Sequence, residues 1–417
     1  MPAQRHRLPL WGPLVAGGLV IAAVLWIVVA VPALVKYPTD LDISPRYEGT
    51  FTLFVDPATA APLDDPVEVP LVVERHLEVI DNGATRVVVR ETIAQQAGDL
   101  IDTTQTNVYV MDRSTLENLD DDRAFAFQPE NVVDRSGTYR LNLPFDAGAE
   151  PAYSIYKNEI DDVYQLRATQ VATVEEGLSL NGFSASVVEA PLSEAYLAEL
   201  NRIVPLPESM TLEQLDPQLR AAGIDVAGVL SALAPVITPD DLAILASATG
   251  EPVPLRYVLS FEGQAAVEPT TGAEVHVGAS ESVGARPELA TLPVLTEVLS
   301  RYPEVPEAAA AIDGLEQLAA APAITLFEYR YDQTPASVAD VADEVRSMRT
   351  EVRLAEVWLP AGLVLLAAGV LAATLVVYLL RRRTTAPPQQ PAAETIDLRT
   401  TETGDNDSLV LTNGRRR

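Results

Sequence analysis

His76 and His276 are the side chains of the central chain best placed to move a proton near neutral pH. A nucleophile–histidine–acid arrangement could draw on either, yet neither stands near a G-x-S-x-G turn or similar context. Both fall in strand-like runs and read as ordinary strand histidines. Asp120-Asp121-Asp122 and Asp161-Asp162 offer the hard oxygen ligands that calcium takes. Neither has EF-hand spacing or a repeat around it, so both read as solvated turns. Asn406-Asp407-Ser408 matches a glycosylation acceptor but falls on the side expected to be cytoplasmic. The chain has no cysteine, which removes disulfides, thiolate zinc sites and thiol nucleophiles. No residue is assigned a catalytic, cofactor-binding or metal-ligating role, no cofactor is expected, and the chain is not expected to be an enzyme.

The elements that hold these residues are framed by two apolar runs. Residues 358–383, WLPAGLVLLAAGVLAATLVVYLLRRR, are uncharged until three closing arginines, as a membrane-spanning helix with its cytoplasmic stop would be. Residues 10–34 form a second run of ~25 residues, ~37 Å long at ~1.5 Å per residue. A cleaved signal peptide, with Val31-Pro32-Ala33 as the cleavage site, would have a shorter apolar core, so a retained anchor is expected. Arg5 and Arg7 before the first run, and Arg381 to Arg383 after the second, place both ends in the cytoplasm and the middle outside. A pore would want polar lining, and these spans offer none, so they suit anchoring better than conduction. Gly18-x-x-x-Ala22, Ala368-x-x-x-Ala372 and Gly369-x-x-x-Ala373 offer small faces for close helix packing.

The 417 residues are 48% hydrophobic and 21% charged, which permits a large core and excludes global disorder. Net charge is −30, and because both ends are rich in arginine the middle is more acidic still. Such a field repels nucleic acid and anionic headgroups, so nucleic acid is not an expected partner.

The expected organisation is a cytoplasmic N-terminus (1–9), a first span (10–34), an extracellular domain (36–333), a stalk helix (334–357), a second span (358–380) and a disordered cytoplasmic tail (381–417). Within the domain, residues 67–79 and 85–92 alternate as strands around Asn82-Gly83, a strong hairpin signal. Further strands are expected at 106–112, 138–143, 163–174 and 178–188, the last pair broken at Glu175-Glu176-Gly177. Residues 191–250 change to helical period and predict an insert of three or four short helices. Thr211-Leu212-Glu213-Gln214 and Thr238-Pro239-Asp240-Asp241 are its clearest helix starts. Strands return at 255–262 and 265–277, with a turn at Glu268-Pro269-Thr270-Thr271-Gly272. Helices follow at 289–300 and 307–319, then a last strand at 324–331. Thr334-Pro335 caps a helix whose apolar stripe is Val338, Val341, Ala342, Val345, Met348 and Val352, and Pro360 is placed to kink or restart it. The fold class expected is α+β: an antiparallel, β-rich, barrel-like extracellular domain with a helical insert, flanked by two transmembrane helices.

Leu34-Val35-Lys36-Tyr37-Pro38-Thr39-Asp40, Val108-Tyr109-Val110-Met111-Asp112-Arg113, Leu143-Pro144-Phe145-Asp146, Tyr153-Ser154-Ile155-Tyr156, Val267-Glu268-Pro269-Thr270-Thr271-Gly272 and Asp332-Gln333-Thr334-Pro335 occur in that order. Over most of residues 8–380 this resembles an actinobacterial family of two-span envelope proteins often labelled the porin PorA family. The resemblance implies membrane residence in an actinobacterial envelope and supplies no catalytic residues. The layout is also similar to that of class B scavenger receptors, which have two terminal spans, a β-rich outer domain, a helical apex and a lipid-conducting tunnel.

The leading functional expectation is an envelope-anchored protein whose outer domain binds or passes an apolar or amphipathic, lipid-like ligand. The alternative is a structural scaffold that gathers other envelope proteins through its acidic surface. A porin-like oligomer comes third. The expected partners are the lipid bilayer, a lipid-like ligand and envelope proteins.

Overall fold

A computed structural model describes residues 11–56, 62–148, 150–204, 206–250, 252–288 and 292–384. The expected N-terminal segment 1–9, the tail beyond 384 and Asn406 lie outside these described residues.

Among the described residues, thirteen strands form an antiparallel sheet that curls into a half-barrel. They are β1 (Asp42–Ile43), β2 (Arg46–Val55), β3 (Pro62–Asn82), β4 (Arg86–Ala97), β5 (Ile101–Asp112), β6 (Phe125–Phe127) and β7 (Ala152–Lys157). There follow β8 (Asp162–Glu175), β9 (Leu178–Pro191), β10 (Ser209–Met210), β11 (Val253–Val267), β12 (Glu274–Pro287) and β13 (Ile324–Gln333). The order across the sheet is β6-β5-β4-β3-β2-β13-β12-β11-β9-β8-β7, with β1 on β3 and β10 on β11. The last strand of the body therefore lies beside β2, near the first.

Turn chemistry fixes the register. Gly83 donates its amide to the Arg86 carbonyl at 2.8 Å and closes the β3–β4 hairpin at the expected Asn82-Gly83. Glu176 (φ 48°) and Gly177 (φ 74°) are both left-handed between the paired residues Glu175 and Leu178. That is the primed turn whose twist matches the flanking strands. Gly272, at φ 69°, turns β11 into β12, and a Cβ there would lie 2.0 Å from the Leu143 carbonyl oxygen. Glycine alone lets Leu143 donate its amide to the Gly272 carbonyl, at 2.9 Å.

Three strand expectations change. Residues 138–143 form no strand; one bridge joins Tyr139 to Ile155, and the rest is irregular cover. Gly137 (φ 71°) and the bond from the Thr138 hydroxyl to the Arg135 carbonyl bend the chain there, although Leu141 and Leu143 remain buried. The run 265–277 is divided by its own turn, and the second arm continues as β12 to Pro287. Gly278, Ala279, Ser280 and Gly284 give that arm a weak strand signature, so tertiary pairing outweighs local preference. β2, in which Tyr47, Phe51, Leu53 and Val55 are buried, is a strand that the sequence reading does not single out.

Four helices fill the expected insert: α3 (Glu194–Ile203), α4 (Leu212–Ala221), α5 (Val226–Leu233) and α6 (Pro239–Gly250). Thr211 and Gln214 form a reciprocal capping box, and the Thr238 hydroxyl accepts from the Asp241 amide at 3.2 Å. The later helices α7 (Leu292–Leu299) and α8 (Pro306–Ala320) join the insert in one core. Leu215, Leu219, Leu233, Val298, Leu299 and Ala308 are its most buried members. α3 stands apart: Tyr196 and Leu200 belong to the half-barrel's core, with the Tyr196 ring 5.3 Å from that of Phe127. It stoppers the interior of the sheet.

The terminal strands β6 and β7 are tied by one side chain. Buried Arg135 donates to the carbonyls of Val108 (2.9 Å) and Phe125 (3.0 Å) and to Asn158 Oδ1 (2.9 Å). Its guanidinium lies 4.4 Å from the centre of the Tyr109 ring. Arg135 thus gives donors to two carbonyls of the paired strands β5 and β6.

α9 (Pro335–Arg353) begins at a Thr334 cap, as expected. Its stripe Val338, Val341, Ala342 and Val345 packs on Leu178, Leu180, Ala273 and Val275. Arg349 reaches buried Glu268 at 3.3 Å, and Arg346 donates to the Glu176 carbonyl at 2.9 Å. These contacts fasten the expected stalk to two hairpin turns, because an apolar stripe of that width needs a surface to cover it.

The chain divides into two compact units, one of residues 22–362 and one within 1–21 and 363–417. The apolar helices are α1 (Trp11–Leu25), followed by a π turn Trp26–Ala30 and α2 (Val31–Leu34), and α10 (Leu359–Thr384), preceded by a π turn Leu354–Trp358. Trp11–Ala30 and the apolar part of Pro335–Arg381 are long and apolar enough to cross a membrane; the most apolar 18-residue window of each has a mean hydropathy of 2.5 and 2.7. In the smaller unit Gly12 lies against Thr374: a Cβ on Gly12 would meet Thr374 Oγ1 at 2.0 Å. Ala16 and Ala367 are buried beside this seam, whereas a Cβ on Gly18 or Gly369 would meet nothing within 4 Å. The small-residue packing expected at Gly18 and Gly369 is therefore found at Gly12 and Ala16 instead.

Candidate functional site

The inward phase of the strands carries charge. In β3 the inward residues are Leu71, Val73, Arg75 and Leu77; in β4 they are Val87, Val89 and Glu91. β7 contributes Ile155 and Lys157, and β12 contributes Glu281 ahead of Val283 and Ala285. A side chain on the core phase of a strand has nowhere else to point, so these ions meet inside the half-barrel. Phase is the available signal: each ion is spaced by two from apolar neighbours. Alternation taken as a sign of strand type alone passes over these residues.

Glu91 is the centre of one network. It accepts from Arg75 Nε at 2.6 Å, Asn107 Nδ2 at 2.9 Å and the Tyr109 hydroxyl at 2.8 Å. Asn158 in turn donates to Tyr109 at 2.9 Å and links the network to Arg135. Burial opposes the Glu91 charge, but Arg75, Arg140 and the two hydrogen bonds outweigh it and bring the pKa down to about 2. Burial and the Glu91 carboxylate push the Tyr109 phenol up to about 12.

A second network centres on Lys157. Its Nζ lies 2.9 Å from Glu281 and 3.4 Å from Glu159, and 4.5 Å from the centre of the Phe261 ring. Glu281 also accepts from the Tyr331 hydroxyl at 2.8 Å. Burial works against the ammonium, and the two glutamates more than offset it, so its pKa is raised. Glu274 differs: burial dominates and raises its pKa, with Arg75 no closer than 3.9 Å.

Between the networks lies a cavity of about 120 Å³, lined by Arg75, Arg140, Lys157, Glu159, Glu274 and Glu281 among others. That is room for several water-sized groups. Tyr196 of α3 covers it. Arg75 Nη2 and Arg140 Nε are buried without hydrogen-bond partners. Tyr164, Ala185, Gly263, Gly278 and Tyr331 are shared between this cavity and a surface groove of about 1720 Å³. The lining differs from that of the apolar chamber expected for a lipid-like ligand. Its fixed charges suit a small polar or ionic solute, since burying hydrocarbon against unpaired ions would leave them desolvated.

The residues singled out at the start lie elsewhere. His76 Nδ1 is 2.9 Å from Ser44 Oγ and 3.6 Å from Asp42. His276 lies between Glu175 (3.1 Å) and Asp332 (2.8 Å), bordering the groove. The two histidines share no partner. Asp121 is held by Arg123 and Arg86, and the Arg123 hydrogen bond leads in lowering its pKa to about 2. Asp161 accepts from the Tyr156 hydroxyl, and Asp162 accepts from the Val163 amide at 2.7 Å.

A family model described as Porin PorA matches residues 14–376, from inside α1 to inside α10. Comparison with curated proteins gives no match.

Proposed function

The chain belongs to the porin PorA family, and from that premise we propose that it is a membrane-anchored, porin-like envelope protein that takes a small polar solute into its half-barrel. The carrying observation is the ion-lined cavity between the Glu91 and Lys157 networks. The two apolar helices serve as anchors; Thr374 in α10 spends its hydroxyl on the Val370 carbonyl at 2.7 Å and offers little to water. The arginines outside the spans support cytoplasmic termini and an outer half-barrel. The reading is of a binding protein without bond-making chemistry: Glu91 and Glu281 are engaged by cations and phenols, and no aliphatic hydroxyl or thiol nucleophile stands among the cavity's ions.

The test is mass spectrometry of the full-length protein purified in detergent, released by denaturation, with thermal shifts against a panel of small polar solutes. A stoichiometric polar solute, or saturable stabilisation by one, supports the proposal. Stoichiometric lipid without a polar solute overturns it in favour of a lipid-like ligand, and so does indifference to the whole panel. The family's description favours one further reading, conduction by an oligomer. Discrete conductance steps in planar bilayers support that reading, and their absence at high protein load ends it.

A further inference from the structure

We propose that the cavity is an oxyanion site in which Arg140, with Arg75 beside it, holds one carboxylate or phosphate group. This deepens the solute-binding reading and rests on it. The argument begins with unequal pairing. Arg75 has Glu91 at 2.6 Å, and Lys157 has Glu281 at 2.9 Å and Glu159 at 3.4 Å. Arg140 lines the same cavity, and among the described residues no carboxylate lies within 4.0 Å of it. Its Nε is buried and unbonded, as is Arg75 Nη2.

Glu91 and Glu159 favour the Arg140 charge from beyond ion-pair range, but they leave its Nε unbonded, and a buried donor without an acceptor is costly. Guanidinium donors match the planar oxygens of a carboxylate or phosphate. Arg140 comes from the irregular stretch between β6 and β7, so the segment that closes the sheet also delivers the cation. Glu159 and Glu274 face the same space and oppose a second negative charge. The favoured occupants therefore also carry a hydrogen-bond donor, as hydrogen phosphate and a free amino acid do. Protonation of Glu274 removes part of the opposition, so binding tightens as pH falls. The groove that shares Gly263, Gly278 and Tyr331 with the cavity gives the approach.

The experiment is calorimetry and thermal unfolding of the full-length protein in detergent, with inorganic phosphate, acetate and glycine as separate probes. Saturable one-to-one binding by at least one probe is expected, and the probe that binds distinguishes phosphate from carboxylate chemistry. Arg140→Met removes binding and with it the probe's stabilisation of the fold, a readout that a purely structural arginine would not move. Arg140→Lys keeps the charge and weakens binding about tenfold, the worth of one charge-assisted hydrogen bond; it carries the test if the Met variant does not fold. No binding of any probe overturns the site, as does binding that Arg140→Met and Arg140→Lys both leave unchanged. A solute that binds but ignores Arg140 ends this proposal and leaves the polar-solute reading standing.

Discussion

The Trp26 indole donates its N–H to the Ala355 carbonyl at 2.9 Å, across 329 residues of chain. Both residues sit in π turns that precede a proline. Leu359 gives its amide to Leu354, and Pro360 has no amide hydrogen, so the Ala355 carbonyl loses the donors that a regular helix would supply. The indole replaces them. Pro32 follows the matching turn, where Val31 donates to the Trp26 carbonyl. The proline expected to kink or restart the second span therefore acts through a widened turn.

Trp26→Phe keeps the ring and removes the donor. It is expected to cost about 1–3 kcal/mol, the penalty for an unsatisfied carbonyl, measured by denaturation of the full-length protein in detergent. Pro360→Ala restores an amide, so the cost of Trp26→Phe should shrink in that background. Additive costs in the double variant would show that the indole does not answer the proline.

The Gly12–Thr374 contact ranks the glycines of the smaller unit. Gly12→Leu forces Thr374 aside and is expected to cost about 1–3 kcal/mol, in the range of overpacked cores. Gly18→Leu meets open space and should leave the melting temperature near that of the wild type. Equal effects at the two positions would place the seam elsewhere.

Glu91→Gln leaves Arg75 buried without its carboxylate. A loss of about 3–5 kcal/mol at neutral pH is expected in chemical denaturation. The folded pKa is depressed, so the wild-type contribution is present above the ordinary carboxylate value and fades as pH falls toward about 2. The gap between wild type and Glu91→Gln should therefore narrow in acid. A gap that stays constant would mean that Glu91 acts by shape and not by charge.

Much of the half-barrel is legible where local chemistry and tertiary need agree. Asn82-Gly83, Glu176-Gly177, the Thr211–Gln214 box and the Thr238 and Thr334 caps are local devices, and each falls where its residues place it. β12 is harder to read because glycine, alanine and serine fill it, and only its neighbours β11 and β13 hold it extended. The union of α4–α6 with α7 and α8 in one core depends on contacts between distant segments, which no window of sequence displays. The cavity is hidden by a different cause. Arg75, Glu91 and Lys157 are on the core phase of their strands, but charge ordinarily marks the solvent face, so they count against the pattern that places them.

His276 offers a pH-dependent clasp on three strands. It lies in β12 between Glu175 at the end of β8 and Asp332 near the end of β13. Partial burial opposes its proton, and the Asp332 hydrogen bond together with the Glu175 charge outweighs that, so the pKa is raised above 6.5. A raised histidine pKa stabilises the fold fully below the ordinary value and loses that contribution as pH rises through the folded one. His276→Gln keeps hydrogen-bonding capacity without the charge. The wild type should exceed it in stability more at about pH 5.5 than at about pH 8.5, with melting temperature as the readout. Because the ring is about one-third exposed, the difference should be modest and should contract at high salt. A difference that grows with pH would reverse the sign required of a protonated clasp, and a difference indifferent to salt would assign the effect to packing of the ring.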